Sequence, residues 1–161
     1  MQAWRLCRRR YAELNGNGAA STGGRWNPVG LPMVYMSSSD ALAVLEVRVH
    51  LRRYIPRSFV FVTAEVPDEL IATVEGREPL PPNWNEDLVW SRAAGERFLK
   101  DESSVALSVP SRVVPVGRNI LLNPRHPEFA RVVTNPPAPF EWDRRLFEGV
   151  EPAFRKFEGS E

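Results

Sequence analysis

The sequence predicts an α+β protein built on a mixed sheet. Segments of strand length and segments of helical period follow one another without regular alternation, which argues against a doubly wound or barrel design. Fifteen prolines and ten glycines break the chain into many short elements, yet apolar runs separate them, so the composition is that of a folded chain. The 161 residues suit one domain about one core. That domain is expected to span 1–161, with its core over about 2–148 and a charged tail over 149–161.

Gln2 to Leu6 reads as a first strand, and the RRRYAEL segment after it as a helical turn. Residues 15–30 (NGNGAASTGGRWNPVG) lack periodicity and read as a glycine-rich loop. Leu31 to Met36 is the next strand. The clearest helix follows: Ser39 or Asp40 serves as its N-cap, and Leu42, Leu45 and Val49 recur at three- and four-residue steps along one face. Ser58 to Val66 reads as a strand closed by Pro67, and 67–85 as a turn and a proline-rich loop. A helix is expected from Leu88 to Lys100, weakened by Gly95. Val105 to Val109, Val113 to Val116 and Ile120 to Leu122 are strand candidates. Asn123-Pro124 ends the last of these, HPEFARVV starts a short helix, and Phe140 to Phe147 reads as a final strand.

Charge and composition exclude several classes of function. Twenty-one basic against twenty acidic residues leave a net charge of +1, and no basic stripe accompanies it, which opposes direct nucleic-acid binding. One cysteine, Cys7, permits neither an internal disulfide nor a multi-cysteine zinc site, and the two histidines are far apart, so no metal is expected. No apolar run approaches a membrane span, and MQAWRLCRRR lacks the apolar stretch of a signal peptide; the expected location is the cytoplasm. The three arginines at 8–10 read as a solvated basic patch.

Five places carry candidate chemistry. In Gly23-Gly24-Arg25-Trp26-Asn27 the glycines allow close backbone approach to a ligand, and the arginine offers a planar fork for pyrophosphate. The same residues also suit an ordinary turn whose Trp packs on the core. Glu46 falls on or beside the apolar stripe of its helix, where a carboxylate needs a partner: either a site carboxylate or half of an internal ion pair. Tyr35, near a strand end, is placed to stack on a ligand ring or to sit in the core with its hydroxyl bonded. Ser111, after the strand-ending Pro110, bonds a ligand or closes a turn. In Asn123-Pro124-Arg125-His126-Pro127, Asn123 bonds backbone or ligand, and His126 is either a general base or structural.

Taken in order, these motifs resemble the RES-domain family, named for its Arg, Glu and Ser. The pattern runs through Trp4-Arg5, Gly-Gly-Arg25-Trp-Asn, Val-Tyr35, Ala-Leu-Ala-Val-Leu-Glu46, Val-Pro-Ser111 and Asn123-Pro-x-His126-Pro, and closes with Phe-x-x-Asp143-Arg144-Arg-Leu-Phe. It spans residue 2 to about 148. The resemblance implies the ADP-ribosyltransferase catalytic fold, with a split central sheet around an NAD+ cleft. It implies a toxin of a type II toxin–antitoxin system that depletes NAD+ by hydrolysis or phosphorolysis, with inorganic phosphate as a possible co-substrate, or that transfers ADP-ribose to a protein. A degenerate domain that binds nucleotide or partner without catalysis is the remaining option. The implied partner is an Xre-like antitoxin that covers the active site, and the Arg48, Arg52, Arg53 and Arg57 segment offers it a basic surface.

Within that resemblance Glu46 stabilises the oxocarbenium-like centre left by nicotinamide. Arg25 clamps the pyrophosphate, and Tyr35 positions the nicotinamide or its ribose. Ser111 bonds ribose or phosphate, while Arg5, Trp26 and Asn123 complete the NAD+-binding set. No cofactor is expected beyond NAD+ itself as substrate.

Overall fold

A computed structural model of the chain describes residues 1–51 and 55–148. Arg52 and Arg53 of the expected basic segment, and the expected tail 149–161, lie outside the described residues. The elements in chain order are β1 (Gln2–Arg8), α1 (Asn17–Thr22), β2 (Val34–Ser37), α2 (Asp40–Arg48), β3 (Phe59–Glu65), β4 (Ile71–Thr73), α3 (Val74–Arg77), α4 (Leu88–Asp101), β5 (Ala106–Pro110), β6 (Arg118–Leu122), β7 (Val133–Thr134) and β8 (Ala138–Phe140). The α+β class is therefore as expected, and the strands form one mixed sheet in the order β4-β5-β6-β2-β1-β3-β7, with β8 also on β3. Among the described strands only β4 and β5 pair in parallel; the other pairings are antiparallel.

The expected split has a counterpart at the centre of the sheet. β1 is paired with β3 along its whole length, but it meets β2 at the single pair Trp4↔Ser37. The two halves of the sheet are thus joined at β1 and β2 by that one pair. β2 is in turn fully paired with β6, which sets Ser37 opposite Asn119.

Side-chain alternation along the strands sorts the core onto two faces. Val34, Met36, Val60, Val62, Ile120 and Leu122 share one face. On the other, α4 buries Phe98 and Ala94 against Leu107, Val109 and Leu121, while α2 packs Ala43, with Val44 and Val47, toward Leu6, Phe59 and Trp142. The candidate site occupies the interval between these last two clusters.

Ser39 is the N-cap of α2, its hydroxyl accepting from the Leu42 amide at 3.2 Å. The expected apolar face of this helix is rotated, however. Leu42 is buried, but Leu45 and Val49 are 38% and 55% exposed. The helix is seated by Ala43 and its neighbours under the aromatic cluster of Phe59, Phe140, Trp142 and Phe147. The partners for that packing come from distant chain segments, so the sequence period alone misassigns the face.

Five other expectations change. The 15–30 loop contains α1, and the 67–85 stretch contains β4 and α3, short elements formed by tertiary pairing rather than by a long periodic signal. Val113–Val116 is not a strand: Gly117 donates to the Val114 carbonyl at 2.8 Å, Ser111 to the Gly117 carbonyl at 3.0 Å, and Val116 is 94% exposed in the resulting turn. The last strand ends at Phe140, and the Asp143 side chain caps a 3-10 turn over Arg144–Leu146. HPEFARVV yields one 3-10 turn, Phe129–Arg131, followed by β7.

Gly95 explains its own presence in α4. A Cβ there would overlap the Trp26 carbonyl, so the glycine lets the 24–27 loop lie directly on the helix backbone. A loss of helix propensity of about 1 kcal/mol relative to Ala is accepted where the loop needs that close approach.

Candidate functional site

Glu46 lies in the last turns of α2 and points across the sheet to the start of β6 and the end of β5. Its Oε1 accepts from the Ser111 hydroxyl at 2.8 Å and from Asn119 Nδ2 at 2.5 Å. Asn119 is itself oriented from behind, since Ser37 donates its hydroxyl to Asn119 Oδ1 at 3.0 Å. Ser37, Asn119, Glu46 and Ser111 thus form a continuous polar chain, in which Ser37 and Ser111 are buried. Both protein bonds to the carboxylate fall on Oε1, so among the described residues Oε2 carries no donor. A carboxylate restrained on one oxygen and open on the other is suited to hold sugar hydroxyls or an adjacent positive charge.

Opposite this carboxylate is the 23–27 loop, locked by Tyr35 and Asn27. Tyr35 donates to Asn27 Oδ1 at 2.7 Å and accepts from the Trp26 amide at 3.0 Å. Asn27, fully buried, sends Nδ2 to the carbonyls of Ala19, Pro28 and Leu31 at 2.9–3.0 Å. Gly24 is required here, because a Cβ would collide with the Tyr35 hydroxyl. Burial pushes the Tyr35 hydroxyl up to about 12, against the opposing effect of its bond from Trp26. It remains a neutral donor at any physiological pH.

Arg25 is carried on this loop into the cavity. Its Nη1 is buried and has no hydrogen-bond partner among the described residues. Burial first, and then the nearby Arg112, lower its pKa; Glu46 and Tyr35 act in the opposite direction. Arg92 adds a third guanidinium and donates from Nε to the Gly24 carbonyl at 2.9 Å. Arg25, Arg92, Arg112, Tyr35, Glu46 and Asn119 all line one cavity of about 890 Å³, within the range of small-molecule sites. Clustered arginines with an unpartnered donor favour an anionic ligand, for which phosphate oxygens are a geometric match.

A second cavity of about 430 Å³ adjoins it through Tyr35, Glu46 and Asn119 and runs into the seam between β1 and β2. Arg5 lies there, its pKa lowered by burial, with Nη1 reaching the Glu13 carbonyl at 3.4 Å. Five of the candidates, Arg5, Arg25, Tyr35, Glu46 and Ser111, therefore come together from five separate parts of the chain.

The other two candidates are held chiefly by protein contacts. Trp26 has its ring buried in the wall, stacked on Trp84 and edge-on to Trp90, each at 6.0 Å. It supports the loop and forms part of the wall of the 890 Å³ cavity. Asn123 lies at the other end of β6, with Nδ2 donating to the Leu99 carbonyl and Oδ1 accepting from the Arg125 amide. Its amide is spent on the chain reversal before Pro124. The asparagine of the site is Asn119, which sequence reading missed; a polar residue at the start of an otherwise apolar strand was the available signal. Arg92 and Arg112 were also missed, since a surface arginine has no sequence mark distinguishing it from many others. His126 is structural: Nδ1 accepts from the Glu128 amide at 3.0 Å, which leaves Nε2 to donate to the Glu102 carbonyl at 2.8 Å. No group of metal-ligating side chains is found among the described residues, and no described helix is long and apolar enough to cross a membrane.

Fold and cleft define a class: an α+β protein with a split mixed sheet, an arginine-lined cleft at the split, and a carboxylate delivered to it by one helix. Within that class the chain belongs to the RES domain family, whose profile matches residues 2–143. It is 42% identical over 121 residues to a Prs ADP-ribosylating toxin of Sphingobium sp. strain YBL2, covering 72% of this chain and 75% of that one. To a Toxin Res of Pseudomonas putida it is 37% identical over 151 residues, 91% of this chain and 100% of the other. Among solved structures it superposes on a chain of the Mycobacterium tuberculosis MbcT–MbcA toxin–antitoxin complex with a TM-score of 0.69 at 17% identity, covering 91% and 86%. That likeness establishes a shared fold.

Proposed function

We propose that the protein is a toxin that cleaves the bond between nicotinamide and ribose in NAD+. One observation carries this reading: a carboxylate fixed through Oε1 by Ser111 and Asn119 shares a cavity with Arg25, whose buried Nη1 has no protein partner. The names of its relatives, Toxin Res and an ADP-ribosylating toxin, support it.

Nicotinamide in NAD+ is already cationic and leaves as a neutral ring, so no strong acid is needed. What the site must supply is stabilisation of the oxocarbenium-like ribose. Glu46 does this through its open Oε2, with its negative charge close to the developing positive one. Arg25 and Arg112 bind the pyrophosphate. Tyr35 acts through the loop it locks, and its ring forms part of the wall. Ser111 and Asn119 orient the carboxylate, so Ser111 acts on Glu46 rather than on the ligand. Arg5 reaches the ribose or a phosphate from the seam. The acceptor is water or inorganic phosphate.

A second reading, transfer of ADP-ribose to a protein, is favoured by the naming of the Sphingobium relative. It uses the same site with a different acceptor. The proposed partner in either case is an Xre-like antitoxin that covers the cleft, a reading supported by the toxin–antitoxin nature of the fold relative.

Purified protein incubated with NAD+, with and without phosphate, and followed by NMR tests this directly. Nicotinamide release that is lost in Glu46→Gln is the expected result, by about a hundredfold or more. ADP-ribose as product means hydrolysis, a phosphorylated ADP-ribose means phosphorolysis, and label on protein means transfer. Intact NAD+ in all arms overturns the proposal.

A further inference from the structure

We propose that His50 is the base that takes the proton from the acceptor. The inference rests on the NAD+-cleavage reading and fills a role that reading leaves open. Departure of nicotinamide needs no acid, but attack by water does need a base. The water oxygen bonds to ribose C1′, from which nicotinamide has left with the C1′–N electron pair, and one O–H bond breaks with its electrons staying on oxygen. The proton released requires an acceptor.

The cleft has few groups able to take it. The guanidinium groups of Arg5, Arg25, Arg92 and Arg112 have no acceptor capacity. The Tyr35 hydroxyl is kept protonated, and both its bonds are committed to Trp26 and Asn27. The Cys7 thiol, at the seam, is pushed up by burial and donates to the Tyr11 carbonyl. Glu46 has Oε1 filled by Ser111 and Asn119, and in the proposed reaction its Oε2 is the oxygen that faces the ribose. The remaining group is the imidazole of His50, whose neutral ring carries a nitrogen lone pair able to accept a proton.

Its position fits the role. After Arg48 ends α2, Val49 keeps the right-handed helical conformation and the His50 amide donates to the Val47 carbonyl at 3.1 Å. The chain therefore makes one more, tighter turn, which carries His50, four residues beyond Glu46, back to the cleft. His50 lines both the 890 Å³ and the 430 Å³ cavities, as Glu46 does, and it is exposed. It thus flanks the carboxylate from the side open to solvent, by which an acceptor enters. His126, by contrast, has both ring nitrogens committed to backbone.

The test separates this step from the departure of nicotinamide. Wild type and His50→Gln receive NAD+ in water containing sodium azide, an acceptor already ionised that has no proton to lose. The ratio of azido-ADP-ribose to ADP-ribose is expected to rise about a hundredfold in His50→Gln, the low end of what a positioned base contributes. Glu46→Gln is expected to lower both products together. An unchanged ratio in His50→Gln, or an equal fall of both products, overturns the assignment. If azide enters neither protein, imidazole added to His50→Ala decides: restored ADP-ribose formation supports the base, and no restoration, or no defect to restore, overturns it. A wild type that releases no nicotinamide overturns the parent reading and this one with it.

Discussion

The Ser111 hydroxyl donates to Glu46 Oε1 at 2.8 Å, while its own oxygen accepts the amides of Val113 and Val114, each at 3.0 Å. A hydroxyl has one proton and two lone pairs. With both lone pairs taken by the turn, the proton has a single direction left, toward the carboxylate. The turn over 111–117 is thereby coupled to the orientation of Glu46.

Ser111→Ala removes that coupling at both ends. Two turn amides lose their acceptor and Glu46 loses one of its two donors. Stability is expected to fall by about 1–3 kcal/mol in urea denaturation, and nicotinamide release by at least about tenfold. An activity loss with no change in denaturation midpoint would show that the turn is held by other contacts.

The two asparagines of β6 and its end are expected to behave differently. Asn119→Ala frees Glu46 and Ser37 and should reduce turnover. Asn123→Ala unpairs the Leu99 carbonyl and the Arg125 amide and should lower the thermal midpoint while leaving turnover per folded molecule near wild type. Equal turnover losses for both would return Asn123 to the site.

Arg25→Met tests the unpartnered donor. Isothermal titration should show NAD+ binding weakened by about 1.5–3 kcal/mol, the usual worth of a charged hydrogen bond. The free protein should be as stable as wild type or more so, because a half-buried cation near Arg112 has been removed. A destabilised free variant with intact binding would place the arginine in the scaffold.

Tyr35→Phe leaves the Trp26 amide and Asn27 Oδ1 unpaired, at an expected cost of about 1–3 kcal/mol. The folded hydroxyl ionises at about 12, against 10.0 for the ordinary group. Between those values the unfolded chain has released a proton that the folded chain keeps, so this tyrosine's contribution is complete below pH 10 and declines as pH rises toward 12. Denaturation curves across that window should fall less steeply with pH in Tyr35→Phe than in wild type; parallel slopes would contradict the raised value.

Gly95→Ala sets helix propensity against packing. Propensity alone predicts a gain of about 1 kcal/mol. Overlap with the Trp26 carbonyl predicts a net loss of about 1–3 kcal/mol, together with reduced NAD+ binding because the displaced loop carries Arg25. A more stable variant with unchanged binding would mean that loop and helix lie further apart.

Most of the strands and the two long helices were legible because their signals are local. Apolar runs such as Phe59–Val62 and the Ser39 cap announce themselves within a few residues. Short elements were not legible: β4 has three residues and exists through its parallel pairing with β5. The exposed Leu45 and Val49 likewise show that the period of α2 marked a helix without marking which side the rest of the chain would cover.

The sequence by itself determined the class, the order of the main elements, and the residue types at the cleft: Arg5, Arg25, Tyr35, Glu46 and Ser111 stand in motifs whose order resembles one family along nearly the whole chain. Tertiary structure alone decided what those residues do to one another. Ser111 and Glu46 are 65 positions apart, and Asn119 and Glu46 are 73; no local pattern connects them. Their contact depends on the register of β2 against β6 and on how α2 seats on the sheet. The same packing turned Trp26 into wall, placed Asn119 rather than Asn123 beside Glu46, and left Arg25 Nη1 buried with no hydrogen-bond partner among the described residues. Local propensity is written in neighbouring residues, whereas the pairing of buried polar groups depends on which distant donors and acceptors the folded chain brings within 3 Å.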